Sequence, residues 1–360
     1  MAQLWRGSRE DEQGGGNVLA SLLFRPATPL PTEGETAAAP PARPSMAWAP
    51  YRHAAVRRSF HGEGDTAFWL FEPAEPRPAT APAVVFLHGW MATDVRLYGA
   101  WIEHIARRGN TVVFPVYQSS ALTVPGEFVP NTVAAVERAL GLGETGDHVR
   151  PDRERLAAVG HSLGGALVAQ LAIPGVAPRL PALRAAMLVQ PGWRGRAAGL
   201  LGGLERIDPS LLMVIAVGGD DVHASDWQAR VLFERTRQIP PANKNLIVVR
   251  SDPHGTPPLI ADHSSPLAPD PDVAAADDAE PRRALLHRLG MREGEVDALD
   301  TFGYWKLFDG LSDAAFFGRH AHYALGDTRE QRFMGRWSDG VPVRELRVLT
   351  GPELPQDLHG

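Results

Sequence analysis

A serine lies within a glycine-rich segment that has the pattern G-x-S-x-G. The segment is Gly160-His161-Ser162-Leu163-Gly164-Gly165; it follows the apolar run Leu156 to Val159 and precedes an apolar, helix-forming stretch. A serine in a tight turn between a strand and a helix needs neighbours without Cβ atoms, and such a turn exposes its hydroxyl. The N-terminus of the following helix favours negative charge. The pattern therefore predicts a reactive hydroxyl at Ser162.

A serine hydroxyl is a weak nucleophile and needs a nearby base, which in turn needs a carboxylate to orient it. The chain contains no cysteine. Disulfides, thiolate metal sites and a cysteine nucleophile are therefore excluded. The chemistry that these residue types indicate is acyl transfer through a covalent intermediate on Ser162, with a histidine and an aspartate supplied from elsewhere in the chain.

Short apolar runs alternate with amphipathic segments through most of the chain, and these elements would position the serine. We predict strands at Ala67 to Phe71, Ala83 to Leu87, Thr111 to Val116, Leu156 to Val159, Ala185 to Gln190, Leu212 to Val217 and Leu246 to Val249. We predict helices at Tyr98 to Arg108, Asn131 to Leu140, Leu163 to Leu171 and Asp226 to Arg237. Alternating helices and unbroken apolar strands predict an α/β fold: a mostly parallel central sheet with helices on both faces.

In this context the serine motif resembles the nucleophile elbow of the α/β-hydrolase superfamily, and the resemblance covers about residues 55 to 262. It implies the α/β-hydrolase fold. In that family a strand ahead of the elbow ends in His-Gly, as Ala83 to Gly89 does here, and the next amide forms half of an oxyanion hole. The resemblance implies that Trp90 and Leu163 supply the two amides, with Met91 as the alternative to Trp90.

The same resemblance implies the acid and the base, because the family carries them in the order serine, acid, histidine. The predicted strand Leu212 to Val217 is followed by Gly-Gly-Asp-Asp, where the family's G-x-x-D pattern selects Asp221 and leaves Asp220 as the alternative. The family places its histidine in the loop after the last strand. This implies His254 as the base, with His263 in the same loop region as the alternative.

Many members of the family carry a helical cap between the strand that follows the serine helix and the strand that carries the acid, but here this gap is too short for one. Only Pro191 to Ser210 fills it. The chain is thus similar to lidless serine esterases of the dienelactone-hydrolase-like, chlorophyllase-like, cutinase-like and polyester-hydrolysing types, although dienelactone hydrolases use the cysteine that is absent here. The resemblance implies that Trp193 faces the substrate. The alternative is an aromatic side chain that only packs within its loop.

The composition divides the chain into three parts. Residues 1–50 form a Pro- and Ala-rich leader that we expect to be flexible, residues 51–263 form the catalytic core, and residues 264–360 form a C-terminal extension. We expect the extension to supply a final core helix near Thr301 to Phe316, and we hypothesise that Ser264 to Asp300 folds over the site as a lid. We interpret its acidic residues as a solvated loop rather than a Ca²⁺ site; they are Asp270, Asp272, Asp277, Asp278 and Glu280.

Charge and hydropathy limit the partners. The formal net charge is −6 and no basic face or arm is evident, which argues against nucleic acid. The longest apolar runs are too short to span a membrane. We expect no cofactor and no metal. The predicted function is serine carboxylic ester hydrolysis of a small-molecule or polymeric ester. Alternatives are an acyltransferase or peptidase with the same triad, and a non-catalytic ligand-binding relative. The oligomeric state stays open, and the leader favours export.

Overall fold

The chain forms an α/β structure around one nine-stranded sheet. The computed structural model describes residues 38–40, 50–144, 146–193, 202–224, 226–270, 284, 286–288 and 290–349. The strands are β1 (Ala55–His61), β2 (Phe68–Ala74), β3 (Thr80–Leu87), β4 (Thr111–Pro115), β5 (Arg150–His161), β6 (Leu183–Val189), β7 (Leu212–Gly218), β8 (Lys244–Val249) and β9 (Arg347–Leu349). Their order across the sheet is β1-β2-β4-β3-β5-β6-β7-β8-β9.

The six strands from β3 to β8 pair in parallel, while β1, β2 and β9 join antiparallel at the two edges. The carboxyl ends of β5, β7 and β8 therefore meet at one edge of the sheet. In open α/β sheets this is the edge where ligands bind. The predicted mostly parallel sheet is confirmed. The edge strand β1 was not predicted, because its sequence AVRRSFH is polar and half-exposed and lacks an unbroken apolar run.

Helices cover both faces of the sheet. They are α1 (Gly99–Arg107), α2 (Phe128–Leu142), α3 (Leu163–Leu171), α4 (Asp226–Arg235), α5 (Trp305–Phe317) and α6 (Arg329–Arg332); a π-helical turn, Leu299–Tyr304, leads into α5. Buried side chains of α1 and α5 belong to one apolar cluster, and those of α2, α3 and α4 belong to another. Neighbours along β3 alternate between them: Val84 and Phe86 join the first cluster, whereas Val85 and Leu87 join the second. This alternation gives the sheet an apolar core on each side.

The C-terminal extension is part of this structure. Its strand β9 pairs with β8, and α5 packs on the central strands. A buried ionic cluster joins α5 to the end of α1, where Arg108 contacts Asp309 and Asp313 and His104 contacts Asp309. Burial alone would raise the pKa of Asp309, but Arg108 and His104 hold it below its usual value. The ionised carboxylate thus fixes α5 against α1.

Much of the predicted leader lies outside the described residues. Where the structure describes it, Ala38 accepts a hydrogen bond from the amide of Thr256 at 2.9 Å. The amide of Ala39 donates to the hydroxyl of Ser338 at 2.8 Å. Within the described ranges, no helix combines the length and the apolar character needed to cross a membrane.

The N-terminal turn of α3 approaches β3 and β5 so closely that only glycine fits there. A Cβ atom on Gly164 would lie 2.2 Å from the carbonyl oxygen of Leu87, and one on Gly160 would lie 2.3 Å from the carbonyl oxygen of Gly164. Both obstacles are backbone atoms, which cannot rotate away as a side chain can. The two glycines of the serine motif are therefore a packing requirement of the helix-to-sheet contact.

We expect Gly164→Ala to lower the free energy of unfolding by about 2–3 kcal/mol, because the new methyl group must displace backbone. The matched control is Gly141→Ala in α2, where a Cβ atom would meet nothing within 4 Å. This substitution should leave stability unchanged or raise it by up to about 1 kcal/mol. Urea denaturation measures both values. Equal effects at the two sites would contradict the close approach.

Candidate functional site

Ser162 occupies a sharp turn between β5, which ends at His161, and α3, which begins at Leu163. Its φ is 54° and its ψ is −121°, a backbone conformation that residues other than glycine rarely adopt. The turn is held on both sides: the amide of Ser162 donates to the carbonyl of Val189 at 2.9 Å, and its carbonyl accepts from the amide of Gly192 at 3.1 Å. The backbone therefore presents the Ser162 hydroxyl in a fixed, strained position.

His263 links this hydroxyl to a carboxylate. Its Nε2 lies 3.0 Å from the Oγ of Ser162, and its Nδ1 lies 2.7 Å from the Oδ2 of Asp221. The other oxygen of Asp221 accepts hydrogen bonds from the amides of His223, at 2.8 Å, and Ala224, at 3.0 Å. The carboxylate side chain is 2 % exposed. This geometry lets the imidazole accept the serine proton while the carboxylate stabilises the resulting charge.

The turn after β7 separates the two aspartates that the sequence left open. Asp221 points to His263, whereas Asp220 accepts a hydrogen bond from the hydroxyl of Ser251 at 2.6 Å. Asp220 also donates its amide to the carbonyl of Ala261 at 3.0 Å. Asp221 is therefore the carboxylate that the structure brings to the histidine. Asp220 instead ties the turn to the loop after β8.

The predicted pairing of Ser162 with His254 is wrong. The Nε2 of His254 lies 2.7 Å from the Oδ2 of Asp339, and its side chain is 36 % exposed at the surface. The cause is the path of the loop after β8. Asp252 and Leu259 exchange two backbone hydrogen bonds, of 2.9 and 3.0 Å, which close the intervening residues into an excursion. His254 lies in this excursion, away from the serine.

The chain returns to the sheet edge only after Leu259. The carbonyl of Ala261 accepts from the amide of Asp220, and His263 then follows beside the end of β7. The sequence contains one indication of this detour, the adjacent prolines Pro257 and Pro258, which favour a turn and cannot continue a strand. This indication could have moved the predicted base from His254 to the later histidine.

Buried polar groups hold the histidine loop from below, and sequence reasoning did not identify them. The side-chain amide of Gln190 donates to the carbonyl of Asp262 at 2.8 Å. The hydroxyls of Ser265 and Tyr304 lie 2.8 Å apart, and both lie 3.2 Å from the same Gln190 nitrogen. Burial raises the pKa of Tyr304, which keeps its hydroxyl protonated. The π-helical turn of the extension thus helps to position His263.

Arg292, also in the extension, holds the outer side of the same loop. Its Nε donates to the Oδ2 of Asp262 at 2.7 Å and its Nη2 donates to the carbonyl of Ile260 at 3.0 Å. Its amide donates to the hydroxyl of Ser264 at 3.0 Å. These contacts reach the residues on both sides of His263. Arg292 is therefore a positioning residue for the imidazole, although it does not touch the serine.

The two predicted oxyanion amides lie beside the serine. A Cβ atom on Gly89 would be 3.3 Å from the Cβ of Ser162, so the loop after β3 runs close to the nucleophile position. Within the described residues, the amides of Trp90 and Leu163 donate no hydrogen bond to another group. The alternative amide, that of Met91, already donates to the Oε1 of Gln118 at 3.0 Å. The geometry thus leaves Trp90 and Leu163 available to an oxyanion.

A buried tyrosine connects this loop to the serine motif. The amide of Gly89 donates to the hydroxyl of Tyr98 at 3.1 Å, and this hydroxyl lies 3.0 Å from the Nδ1 of His161. Burial and the neighbouring His263 lower the pKa of His161 well below its usual value. The ring is therefore neutral, and its Nδ1 can accept a hydrogen bond from the Tyr98 hydroxyl. The chain of hydrogen bonds holds the loop after β3 against the serine turn.

His88 has a packing role in the loop that follows β3. Its ring stacks on that of Tyr117 with 4.1 Å between the centroids. Its Nδ1 donates to the carbonyl of Gly89 at 2.6 Å. Burial lowers the pKa of His88 to about 4, so the ring is neutral at ordinary pH. It braces the loop and makes no contact with Ser162.

Ser162 and His263 open into an apolar cleft of about 560 Å³. Trp193 lines this cleft although its side chain is only 7 % exposed, and its carbonyl accepts a hydrogen bond from Gln228. The aromatic side chain therefore packs in its loop and also forms cleft wall. The extension supplies further wall residues, namely Leu267, Leu286, Arg288 and Met291. Residues 271–283 of the hypothesised lid lie outside the described residues.

Among the described residues, no group of three or more histidine, cysteine, aspartate or glutamate side chains is arranged to hold a metal ion. Of the acidic residues in the extension, Asp270 forms an ion pair with Arg58. Asp272, Asp277, Asp278 and Glu280 lie outside the described residues.

No protein-family model matches the sequence, and no curated protein matches it significantly. The chemical interpretation of the cleft therefore depends on the geometry of its own residues. A hydroxyl, an imidazole and a carboxylate joined by two hydrogen bonds, beside two amides that donate to no other described residue, can activate the hydroxyl and stabilise an oxyanion.

We expect Arg292→Met to increase hydrogen exchange of the backbone amides from Leu259 to Ser265, because the loop loses the two hydrogen bonds that the arginine side chain donates to Asp262 and Ile260. The matched control is Arg332→Met, which also removes an ion-pairing arginine. Its partners, Asp327 and Glu345, lie far along the chain from this loop. Mass spectrometry of exchanged peptides measures the difference. Unchanged protection of the loop in Arg292→Met would contradict the positioning role.

Proposed function

We propose that this protein is a serine carboxylic ester hydrolase with the α/β-hydrolase fold. The observation that carries the proposal is the hydrogen-bonded chain from Ser162 through His263 to Asp221 at the wall of an apolar cleft. The three residues follow β5, β8 and β7 respectively, at the carboxyl edge of the parallel strands. Their order along the chain is serine, aspartate, histidine, as in that family.

The proposed reaction has two steps. His263 accepts the Ser162 proton as the serine oxygen attacks the ester carbonyl, and the amides of Trp90 and Leu163 stabilise the oxyanion. His263 then donates this proton to the departing alcohol, which leaves an acyl group on Ser162. A water molecule gives a proton to His263 and attacks the acyl group, and the same proton returns to Ser162 as the acid departs.

Two features favour catalysis over passive ligand binding. Ser162 holds a positive φ that costs on the order of 1–3 kcal/mol, and such strain persists where it serves a purpose. The neighbouring amides of Trp90 and Leu163 lack partners within the described residues, which a binding protein would have no reason to maintain. Both features suit a site that stabilises a transient negative charge.

The cleft favours an ester with apolar groups near the scissile bond. Its wall is mostly aliphatic and aromatic, with Trp193, Phe128 and Trp90 among the lining residues. Aromatic faces of this kind can pack against an aromatic or alkyl acyl group. An acyltransferase would need a bound acceptor in place of water, and no observation in the cleft favours one over water.

We expect the protein to hydrolyse p-nitrophenyl butyrate and to react covalently with a fluorophosphonate at Ser162. Ser162→Ala should lower kcat by about 10³-fold or more, because the nucleophile is removed, and should abolish labelling. The matched control is Ser210→Ala, an exposed serine outside the cleft, which should keep full activity. Liquid-chromatography mass spectrometry of the labelled peptide identifies the modified residue.

The proposal fails if the folded wild-type protein neither labels nor hydrolyses any p-nitrophenyl ester from acetate to octanoate. It also fails if Ser162→Ala keeps the wild-type rate, since another group would then perform the chemistry.

A further inference from the structure

One cationic side chain distinguishes the wall of the cleft. The described lining residues include no aspartate, glutamate or lysine, and Arg288 is the one arginine among them. Arg288 lies in a short helical segment of the extension and is exposed. Within the part of the chain that the structure describes, its side chain makes no hydrogen bond or ion pair. Among the described residues, the guanidinium is therefore a charge without a partner at this cleft.

In contrast to Arg288, the charged side chains of Arg292 and Asp221 both have partners. Arg292 is paired with Asp262 at 2.7 Å. Asp221 is covered by His263 and by the amides of His223 and Ala224. A mobile anion entering the cleft would thus meet the positive charge of Arg288 and no opposing carboxylate among the described lining residues.

Arg288 belongs to the wall on the histidine side of the cleft. The rings of His223 and His263 stack with 5.4 Å between their centroids. A Cβ atom on Gly290 would lie 3.2 Å from the Nε2 of His223, so the segment that carries Arg288 packs beside this pair. Since His263 gives its proton to the departing alcohol, this side of the cleft receives the alcohol part of an ester.

We propose that Arg288 binds an anionic group in the alcohol part of the substrate, so that the preferred substrates are esters whose leaving alcohol carries a carboxylate. This inference rests on the proposed function. A guanidinium forms two parallel hydrogen bonds with a carboxylate, which gives it geometric specificity as well as attraction. Because Arg288 is exposed, water and salt screen this attraction, and its contribution is that of one exposed charged contact.

The test uses two esters that differ only in charge: 4-butanoyloxybenzoate and its methyl ester. We expect the ratio of kcat/KM for the anionic ester over the neutral ester to fall about five- to tenfold in Arg288→Gln, as one charged contact is lost. The matched control is Arg329→Gln, an exposed arginine outside the cleft, in which the ratio should equal that of the wild type. High salt should reduce the wild-type ratio.

An equal ratio in wild type and Arg288→Gln overturns the inference, since Arg288 is then only a solvated surface arginine. Such a result leaves ester hydrolysis itself intact. A binding measurement separates the two claims. Calorimetry on Ser162→Ala should show tighter binding of the anionic ester than of the neutral one, and adding Arg288→Gln should remove this preference. If that preference holds but the wild type cleaves neither ester, the proposed function fails and the anion site stands.

Discussion

The hydrogen bond between His263 and Ser162 depends on a loop that must leave the sheet, turn and return to it. The excursion is closed by the backbone pairing of Asp252 with Leu259, and its return is fixed where Ala261 meets the turn after β7. This path brings the imidazole of His263 to the serine with its other nitrogen on Asp221. The position of His263 depends on contacts from outside this loop as well as on the loop itself.

The C-terminal extension supplies much of that support. Tyr304 contacts Ser265 on the buried side of the histidine loop. On the solvent side of the loop, Arg292 contacts residues before and after His263. The extension is itself fixed by β9 on the sheet edge and by the buried ionic contacts of α5 with α1. Residues that line the cleft come from the same part of the chain. In our account the C-terminal extension therefore positions the proposed base, His263, and also shapes the cleft that the substrate enters.

The sequence was sufficient for features that depend on neighbouring residues. The unbroken apolar runs predicted seven strands of the sheet, because burial on both faces selects such runs. The glycines around Ser162 predicted a tight turn, and the structure shows why: a Cβ atom on Gly160 or Gly164 would overlap backbone. The polar edge strand β1 was missed, since an exposed edge imposes little pattern on its sequence.

The base could not be chosen in the same way, because long-range contacts decide between the two histidines. His254 is nearer to the end of β8, but Asp339, 85 residues later, binds it at the surface. His263 is placed by hydrogen bonds that Gln190 and Arg292, both remote in the sequence, donate to the preceding residue, Asp262. The choice between Asp220 and Asp221 likewise depended on which carboxylate faces that histidine.

The most direct test of this account compares the rate of acyl-enzyme formation in two histidine variants. The release of p-nitrophenol in a single turnover, with the folded protein in excess over the ester, measures that rate. We predict that His263→Ala lowers it by about 10³-fold or more, whereas His254→Ala changes it by no more than about twofold. A slow His254→Ala variant together with a fully active His263→Ala variant would contradict the assignment of the base and the site built upon it.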